Sequence, residues 1–512
     1  MSINIQGRLL ARNAVLNLSG QVLPMIVAIV SMPFVVRGLG VERFGILSLA
    51  WAVLGYFSIF DMGLSRTTTK FVAEAMSRGK QERVPTIVWT AVIIQAVLGV
   101  LGGLVIVSVT PLLVERILNV PQNLIGEASL SFYLLALSVP AILIPSVFRG
   151  VLEATQRFDL VNTLRVLFST ANFLIPLVGL LLGWYLPGIV ALLVVFRGLT
   201  LIAHFWVCLR IFPCLKVLPR SYKGELRNIL GFGGWVTASN ATSPLFNYLD
   251  RFLIGSLLTM NALAYYTTPW EIIVRLQILP TSLALAVFPV FSAIGAISQK
   301  KDLEHFYRRL LKYLLLLMVP AGMILALFAE KILHWWLGID FAEKSTVVFQ
   351  ILAIGIPISS LAVAPSLLLQ GLGRPDVRAK LLLLELPFYT VLAWFLIRKI
   401  GLPGAALARI FWIITDTLLL FGASWKICGM DIRALAGDGL LQGIAALLIL
   451  SALMFTTSFL NEFLLIQVGI VFILITLFTF AIWHHALDTA EKKVIISVFS
   501  DLSGRLERRR SL

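Results

Sequence analysis

Asp250 and Arg251 stand side by side inside an apolar stretch, residues 231–270, that is long enough to cross a bilayer. A charged side chain at membrane depth costs at least a few kcal/mol, so it is kept where it faces a cavity or a partner group. Successive residues of a helix point about 100° apart. The two side chains therefore cannot face one cavity together, and we expect one of them to brace a neighbouring helix.

Other predicted membrane helices also carry charged residues. Glu271 and Arg275 are four residues apart, which places them on one helix face and allows them to pair. Arg409 and Asp416 are seven apart and share a face as well. The remaining intramembrane charges are Arg197, Asp61 and Glu385. Each could be a structural bridge between helices, but that interpretation does not explain why so many are concentrated here.

These residue types favour binding of an anion. Arginine stays charged at any depth and can hold a phosphate group with two parallel hydrogen bonds. A ring of arginines in a membrane cavity is what an anionic headgroup would need, and the intramembrane arginines are Arg197, Arg251, Arg275 and Arg409. The carboxylates predicted to couple an ion or to pair structurally are Asp61, Asp250, Glu271, Glu385 and Asp416. Aromatic residues accompany them, although Tyr265 and Tyr266 are better interpreted as part of the interfacial aromatic belt.

Enzymatic signatures are missing from the sequence. There is no glycine-rich phosphate loop and no cluster of histidine, cysteine and carboxylate residues with the spacing of metal ligands. We therefore expect no catalytic residues, no metal site, no cofactor and no work driven by nucleotide hydrolysis.

The composition is that of a membrane protein. The chain has 512 residues, of which 59% are hydrophobic and 13% charged, about half the charge of a soluble domain. Its net charge of +16 is explained by basic loops on the cytoplasmic side of a membrane, and nucleic acid is not an expected partner. Anionic lipid headgroups are an expected partner, because basic connectors follow several apolar runs.

The apolar runs predict an all-α polytopic protein with about fourteen transmembrane helices. They cover residues 14–36, 44–64, 86–109, 128–148, 160–183, 188–209, 229–257, 263–292, 311–337, 347–371, 379–398, 403–425, 439–460 and 463–485. Lysine and arginine alternate between rich and poor loops, which predicts a multi-pass protein of the cytoplasmic (inner) membrane with both termini in the cytoplasm.

Local patterns recur about 216 to 221 residues apart and in the same order. Leu39-Gly40 with Phe44-Gly45 matches Leu258-Thr259 with Leu263-Ala264, and prolines recur at matching places. The repeat predicts two homologous six-helix bundles whose kinked helices suit alternating access. The predicted domains are an N-terminal bundle at 1–210, a basic connector at 211–228, a C-terminal bundle at 229–430, and a region at 431–512 with helices 13 and 14 and a basic tail.

Two motifs resemble a known family. The run FVVRGLGVERFG at 34–45 with FDMGL at 60–64 is similar to the N-terminal signature of the polysaccharide transporters, the Wzx-type O-antigen flippases. The run DRFLIG at 250–255, followed by AYY at 264–266, is similar to that family's seventh-helix signature, with Ala264 where a glycine is usual. The resemblance covers about residues 8 to 430.

This resemblance implies the multidrug/oligosaccharidyl-lipid/polysaccharide exporter superfamily and its V-shaped pair of six-helix bundles. It implies a flippase that moves an isoprenoid-diphosphate-linked oligosaccharide from the inner to the outer leaflet for surface polysaccharide biosynthesis. Carried onto this chain, the resemblance implies a cationic, substrate-binding cavity formed by Arg197, Arg251, Arg275 and Arg409. It also implies coupling to a proton or sodium gradient, and a glycan polymerase and ligase would act next. Two alternatives stay open: an ion-coupled multidrug exporter, which needs a net acidic cavity, and a membrane glycan polymerase or ligase, which needs a larger outer loop.

Overall fold

The computed structural model describes residues 22–57, 59–217, 242–283, 300–372, 374–428, 439–457, 464–489 and 491–492, and these residues contain helices and no β-strand. Eighteen α-helices lie in these ranges: α1 Val22–Leu39, α2 Val41–Phe57, α3 Ile59–Ser77, α4 Val84–Leu112, α5 Ile125–Leu143, α6 Pro145–Ala154, α7 Phe158–Leu181, α8 Leu186–Ile211, α9 Thr242–Leu257, α10 Met260–Leu276, α11 Lys300–Leu327, α12 Ala329–Leu337, α13 Ile339–Leu361, α14 Val363–Gly371, α15 Pro375–Ile400, α16 Leu402–Cys428, α17 Leu440–Thr457 and α18 Leu464–Ala481.

Eleven helical stretches within the described ranges are long and apolar enough to cross a membrane. They match eleven of the fourteen predicted spans. The other three predicted spans, 44–64, 229–257 and 263–292, overlap α2, α9 and α10, whose described lengths are 17, 16 and 17 residues. Residues 229–241 and 284–292 of these predicted spans lie outside the part of the chain that the structure describes. The predicted all-α polytopic fold is therefore confirmed, and the chain is a multi-pass membrane protein.

Two of the long spans are broken near prolines. The α5 helix ends at Leu143 and α6 begins at Pro145, so the break falls at Ile144. The α13 helix ends at Leu361 and α14 begins at Val363, so the second break falls at Ala362. The breaks are 218 residues apart (362 − 144), which is the spacing of the predicted repeat. Proline has no N–H group to donate within a helix, which favours such interruptions.

Helices α2 and α10 pack closely where both begin. Gly40, with a φ of +80°, forms the turn into α2, a conformation that glycine adopts without strain. A Cβ atom on Gly45 would lie 2.1 Å from the carbonyl oxygen of Met260, so only a hydrogen atom fits there. This close approach brings the polar residues of α2 and α10 within hydrogen-bonding distance.

Two hydrogen bonds cross this contact. The Thr267 hydroxyl donates to Ser48 Oγ at 3.3 Å, and Asn261 Nδ2 donates to Glu42 Oε1 at 3.4 Å. Both pairs are separated by 219 residues in the sequence, which is again the spacing of the predicted repeat. Residues that the repeat makes equivalent therefore contact each other at this crossing, as they do at a two-fold axis.

The chain divides into two compact units, Met1–Arg275 with Leu382–Ala408 and Leu276–Leu381 with Arg409–Leu512. The first unit has a core in which residues of α3, α4, α6, α7 and α8 pack together. In the second unit, one core joins α11 to α17 and α18. In lipid such packing is the main source of helix association. The two-bundle boundaries drawn from the sequence stay a prediction.

A buried network fixes the chain after α18 to α11 in the second unit. Lys312 Nζ lies 2.8 Å from Glu491 Oε2, with side chains that are 1% and 2% exposed. Arg309 and Tyr313 also donate to Glu491, at 2.9 and 2.5 Å. Asp488 and Glu491 exchange backbone-to-side-chain hydrogen bonds of 2.8 and 2.9 Å, as in a capping box. This network anchors the chain leaving the last membrane helix.

Candidate anion-binding site

The α9–α10 hairpin carries four of the nine charged residues singled out from the sequence, and Asn119 binds its turn. The Asn119 backbone N–H donates to the carbonyl oxygen of Gly255 at 2.9 Å. Its side-chain amide donates to the carbonyl oxygens of Ser256 at 3.0 Å and Leu258 at 2.6 Å. These bonds satisfy carbonyl groups at the end of α9, which have no partner within the helix, and they set the register of the hairpin.

Arg251 is buried in the hairpin, with 5% of its surface exposed. Its Nη2 donates to Glu271 Oε1 at 2.9 Å, and its Nη1 donates to the carbonyl oxygen of Ser48 at 3.4 Å. The guanidinium carbon lies 5.7 Å from the centroid of the Tyr248 ring. Its Nε is buried and has no hydrogen-bond partner among the residues that the structure describes. Because a buried donor without an acceptor is costly, this N–H is suited to an incoming anion.

Glu271 links Arg251 to a second arginine. Its Oε2 accepts a hydrogen bond of 3.0 Å from Arg275 Nη2, so one carboxylate bridges two guanidinium groups. The Arg275 guanidinium also lies 4.9 Å from the centroid of the Phe173 ring. Arg251, Glu271 and Arg275 are named here the Arg–Glu–Arg cluster. Its side chains are 6%, 23% and 16% exposed, so Glu271 and Arg275 are partly accessible and Arg251 is buried behind them. The cluster carries one net positive charge.

Asp250 faces a different set of partners. Its Oδ2 accepts a hydrogen bond of 2.7 Å from the Tyr266 hydroxyl on α10, and its Oδ1 accepts one from the Tyr389 hydroxyl on α15. Asp250 is 3% exposed. It therefore joins three helices, whereas its neighbour Arg251 faces the cluster. Both members of the adjacent pair thus contact other helices, Asp250 through Tyr266 and Tyr389 and Arg251 through Glu271 and Ser48.

The other two predicted arginines lie elsewhere. Arg197 on α8 donates to the Ser138 hydroxyl at 3.2 Å, and within the described stretches it forms no ion pair. Arg409 belongs to the second unit, is 1% exposed and lies 4.9 Å from the centroid of the Trp412 ring. The structure thus joins two of the four predicted arginines, Arg251 and Arg275, through Glu271.

The remaining predicted carboxylates differ in their surroundings. Asp416 forms an ion pair with Arg378 inside the second unit. Glu385 on α15 is 5% exposed. The side chain of Asp61 lies outside the part of the chain that the structure describes. In the described part of the chain, no group of three or more histidine, cysteine, aspartate or glutamate side chains could hold a metal ion.

Sequence reasoning missed the tyrosines that bind Asp250. Tyr266 was interpreted as an interfacial residue, and that interpretation was wrong, because Tyr266 is 1% exposed and donates to Asp250. A signal was present: Asp250 and Tyr266 each lie eight residues from Leu258 in the hairpin turn. Tyr389 lies 139 residues from Asp250, and no sequence pattern links the two.

A further ion pair of the first unit lies beside a surface pocket. Arg43 donates to both oxygens of Glu127, at 2.8 and 2.7 Å, and these hydrogen bonds raise the pKa of Arg43. The pocket has a volume of about 500 Å³, and its lining includes Glu127, Trp184 and Tyr185. Because this pair is half-buried and lies outside the cluster, it offers a matched control.

Comparison with known proteins identifies the family. Residues 10–295 match the family described as polysaccharide biosynthesis protein, and residues 236–395 match the family described as MatE. The chain is 30% identical over 425 residues to a candidate O-antigen transporter of Shigella flexneri, covering 82% of this chain and 98% of that protein. It is 24% identical to the candidate low-salt glycan biosynthesis flippase Agl15 of Haloferax volcanii, covering 75% and 77%.

Solved structures show the same fold. An inward-facing multidrug resistance MATE family transporter of the MOP superfamily has a TM-score of 0.69 at 17% identity, covering 81% of this chain and 98% of that chain. The lipid II flippase MurJ in its inward closed conformation has a TM-score of 0.68 at 14% identity, covering 92% and 98%. The family match spans more than half of the chain, and the chain therefore belongs to the polysaccharide biosynthesis protein family of membrane transporters.

Proposed function

We propose that this protein is a flippase that moves an isoprenoid-diphosphate-linked oligosaccharide from the inner to the outer leaflet of a bacterial cytoplasmic membrane. The chain's membership of its family and its likeness to relatives named as an O-antigen transporter and a glycan flippase support this proposal. The protein acts by alternating access, as a transporter and not as an enzyme. Its termini lie in the cytoplasm, and it delivers its substrate to a glycan polymerase and ligase at the outer face.

The proposed substrate class, a lipid-linked diphosphate, rests on the Arg–Glu–Arg cluster. A diphosphate needs several N–H donors held by a charge that persists at membrane depth, and paired arginines supply them. Arg251 has one buried donor, Nε, that no described residue satisfies. Arg275 lies against the same carboxylate and is 16% exposed.

Asp250 is the carboxylate that couples transport to a proton or sodium gradient. Asp250 accepts hydrogen bonds from two phenols, Tyr266 and Tyr389. A phenol can accept as well as donate, so these partners suit Asp250 in either protonation state. A change at Asp250 would act on α9, α10 and α15 together.

Export of glycan in a strain that depends on this protein tests the substrate contacts. We expect Arg251→Ala and Arg275→Ala to lose surface glycan and to accumulate lipid-linked oligosaccharide in the inner leaflet, at normal protein levels in the membrane. Arg43→Ala, which breaks a half-buried ion pair of the same unit, should export normally. Normal export by both cluster variants would show that these arginines do not bind the substrate.

Purified protein in liposomes tests both the coupling and the alternative function. An imposed proton or sodium gradient should drive a fluorescent lipid-linked oligosaccharide to the opposite leaflet, where an added glycosidase can reach it. Asp250→Asn should keep binding but lose the response to the gradient. Transport of a cationic dye, with no movement of the lipid, would instead favour a multidrug exporter.

A further inference from the structure

Glu271 occupies the place that the proposed function gives to a phosphate group. Its two carboxylate oxygens lie 2.9 Å from Arg251 Nη2 and 3.0 Å from Arg275 Nη2. Carboxylate and phosphate oxygens accept the same paired hydrogen bonds from guanidinium groups. A diphosphate that binds both arginines must therefore compete with Glu271 for the same N–H groups.

We infer that Glu271 is a built-in substitute for the substrate: it holds Arg251 and Arg275 together when the site is empty and competes with the diphosphate when the site is filled. This inference rests on the proposed function and assigns a specificity-determining role to one residue of that site. It gives the carboxylate a function in substrate release rather than in binding.

Comparison with a purely structural bridge supports this role. Glu491 also joins two basic side chains, Arg309 and Lys312, but it is 2% exposed and in addition accepts a hydrogen bond from Tyr313. Glu271 is 23% exposed, and both of its ion-pair partners are arginines that carry no second ion pair in the described chain. A carboxylate that is partly solvated can leave its partners at a smaller cost than a fully buried one.

Competition by Glu271 has its largest effect on release of the diphosphate. Two buried arginines with no counter-anion would hold a diphosphate tightly, because charge-assisted hydrogen bonds are stronger than those between neutral groups. A transporter must bind its substrate weakly enough to let it go. Because Glu271 re-forms its bonds as the diphosphate leaves, it lowers the net cost of release. Its negative charge also disfavours anions that cannot engage both arginines.

Binding of farnesyl diphosphate to the purified full-length protein in detergent tests the inference, with farnesol as the uncharged control. Glu271→Gln keeps the shape of the side chain but removes its charge. We expect this variant to bind farnesyl diphosphate about tenfold more tightly than the natural protein, with farnesol unaffected. A tenfold change equals about 1.4 kcal/mol. In cells the same variant should export glycan more slowly, because release is impaired.

A structural role for Glu271 predicts the opposite sign, since disordered arginines would bind the diphosphate less tightly. Equal or weaker binding by Glu271→Gln, together with lost binding in Arg251→Ala, would overturn this inference and leave the proposed function standing. Absence of binding in the natural protein and in Glu271→Gln would overturn both. Should Glu271→Gln not yield folded protein, Glu271→Asp, whose shorter side chain cannot reach both arginines, should also bind more tightly.

Discussion

Arg251→Ala should separate function from stability, because the partner that it leaves behind keeps a second arginine. Removing the guanidinium breaks the 2.9 Å bond to Glu271, but Glu271 still accepts the 3.0 Å bond from Arg275. No carboxylate is left buried without a cation. The 3.4 Å bond to the Ser48 carbonyl oxygen is lost as well. We therefore expect a loss of about 2 kcal/mol in the free energy of unfolding, most of it from the charge-assisted bond to Glu271.

The expected loss of function is larger. A diphosphate would lose the buried Nε donor and the Nη2 donor of Arg251, and two charge-assisted hydrogen bonds together contribute at least about 3 kcal/mol. That corresponds to an affinity about a hundredfold lower. Arg251→Lys should recover only part of it, because an ammonium group keeps the charge but cannot form the paired contact.

Arg378→Ala provides the contrasting variant. It leaves Asp416, whose side chain is 6% exposed, without its arginine partner, and breaking a buried ion pair in this way costs about 3 to 5 kcal/mol. Thermal unfolding in detergent and titration with farnesyl diphosphate should be measured on both variants. Arg251→Ala should unfold near the temperature of the natural protein and bind poorly, and Arg378→Ala should unfold at a clearly lower temperature. If Arg251→Ala were as unstable as Arg378→Ala, or bound the diphosphate normally, the reasoning would be refuted.

Three other perturbations follow from the packing. Glu491→Gln should lower the unfolding free energy by about 3 kcal/mol, because it removes the carboxylate that lies 2.8 Å from the buried Lys312 ammonium. Burial by itself would raise the pKa of Glu491, but its hydrogen bonds, above all the one from Lys312, outweigh burial and lower the pKa below the usual 4.5. The stabilisation is therefore present at neutral pH and should be lost as the pH falls through the lowered pKa. Thermal unfolding of Glu491→Gln should lack this acid-dependent loss. Tyr389→Phe removes one of the two donors to Asp250 and should cost about 1 to 3 kcal/mol in thermal unfolding, and an unchanged unfolding temperature would contradict that bond. Asn119→Ala frees carbonyl groups at the end of α9, so amide hydrogen exchange in the α9–α10 turn should accelerate, and unchanged exchange would contradict its capping role.

Much of the molecule follows from the sequence alone. Apolar runs of spanning length led to the all-α polytopic fold, because a bilayer leaves helices as the simplest way to satisfy every backbone N–H and C=O group. The repeat spacing also reappears in the structure, in the helix breaks at Ile144 and Ala362 and in the contact of Ser48 with Thr267. Local periodicity and charge were sufficient to identify Glu271 and Arg275 as a pair.

The tertiary structure decided which charges act together. Sequence placed Asp250 and Arg251 side by side but could not say which of them turns inward, because that depends on how α9 rotates against α10 and α15. In the packed structure Asp250 accepts hydrogen bonds from Tyr266 and Tyr389, and Arg251 binds the same Glu271 carboxylate as Arg275. The helices against which a helix packs decide which of its side chains meet, and for that reason the Arg–Glu–Arg cluster could be identified only in the folded structure.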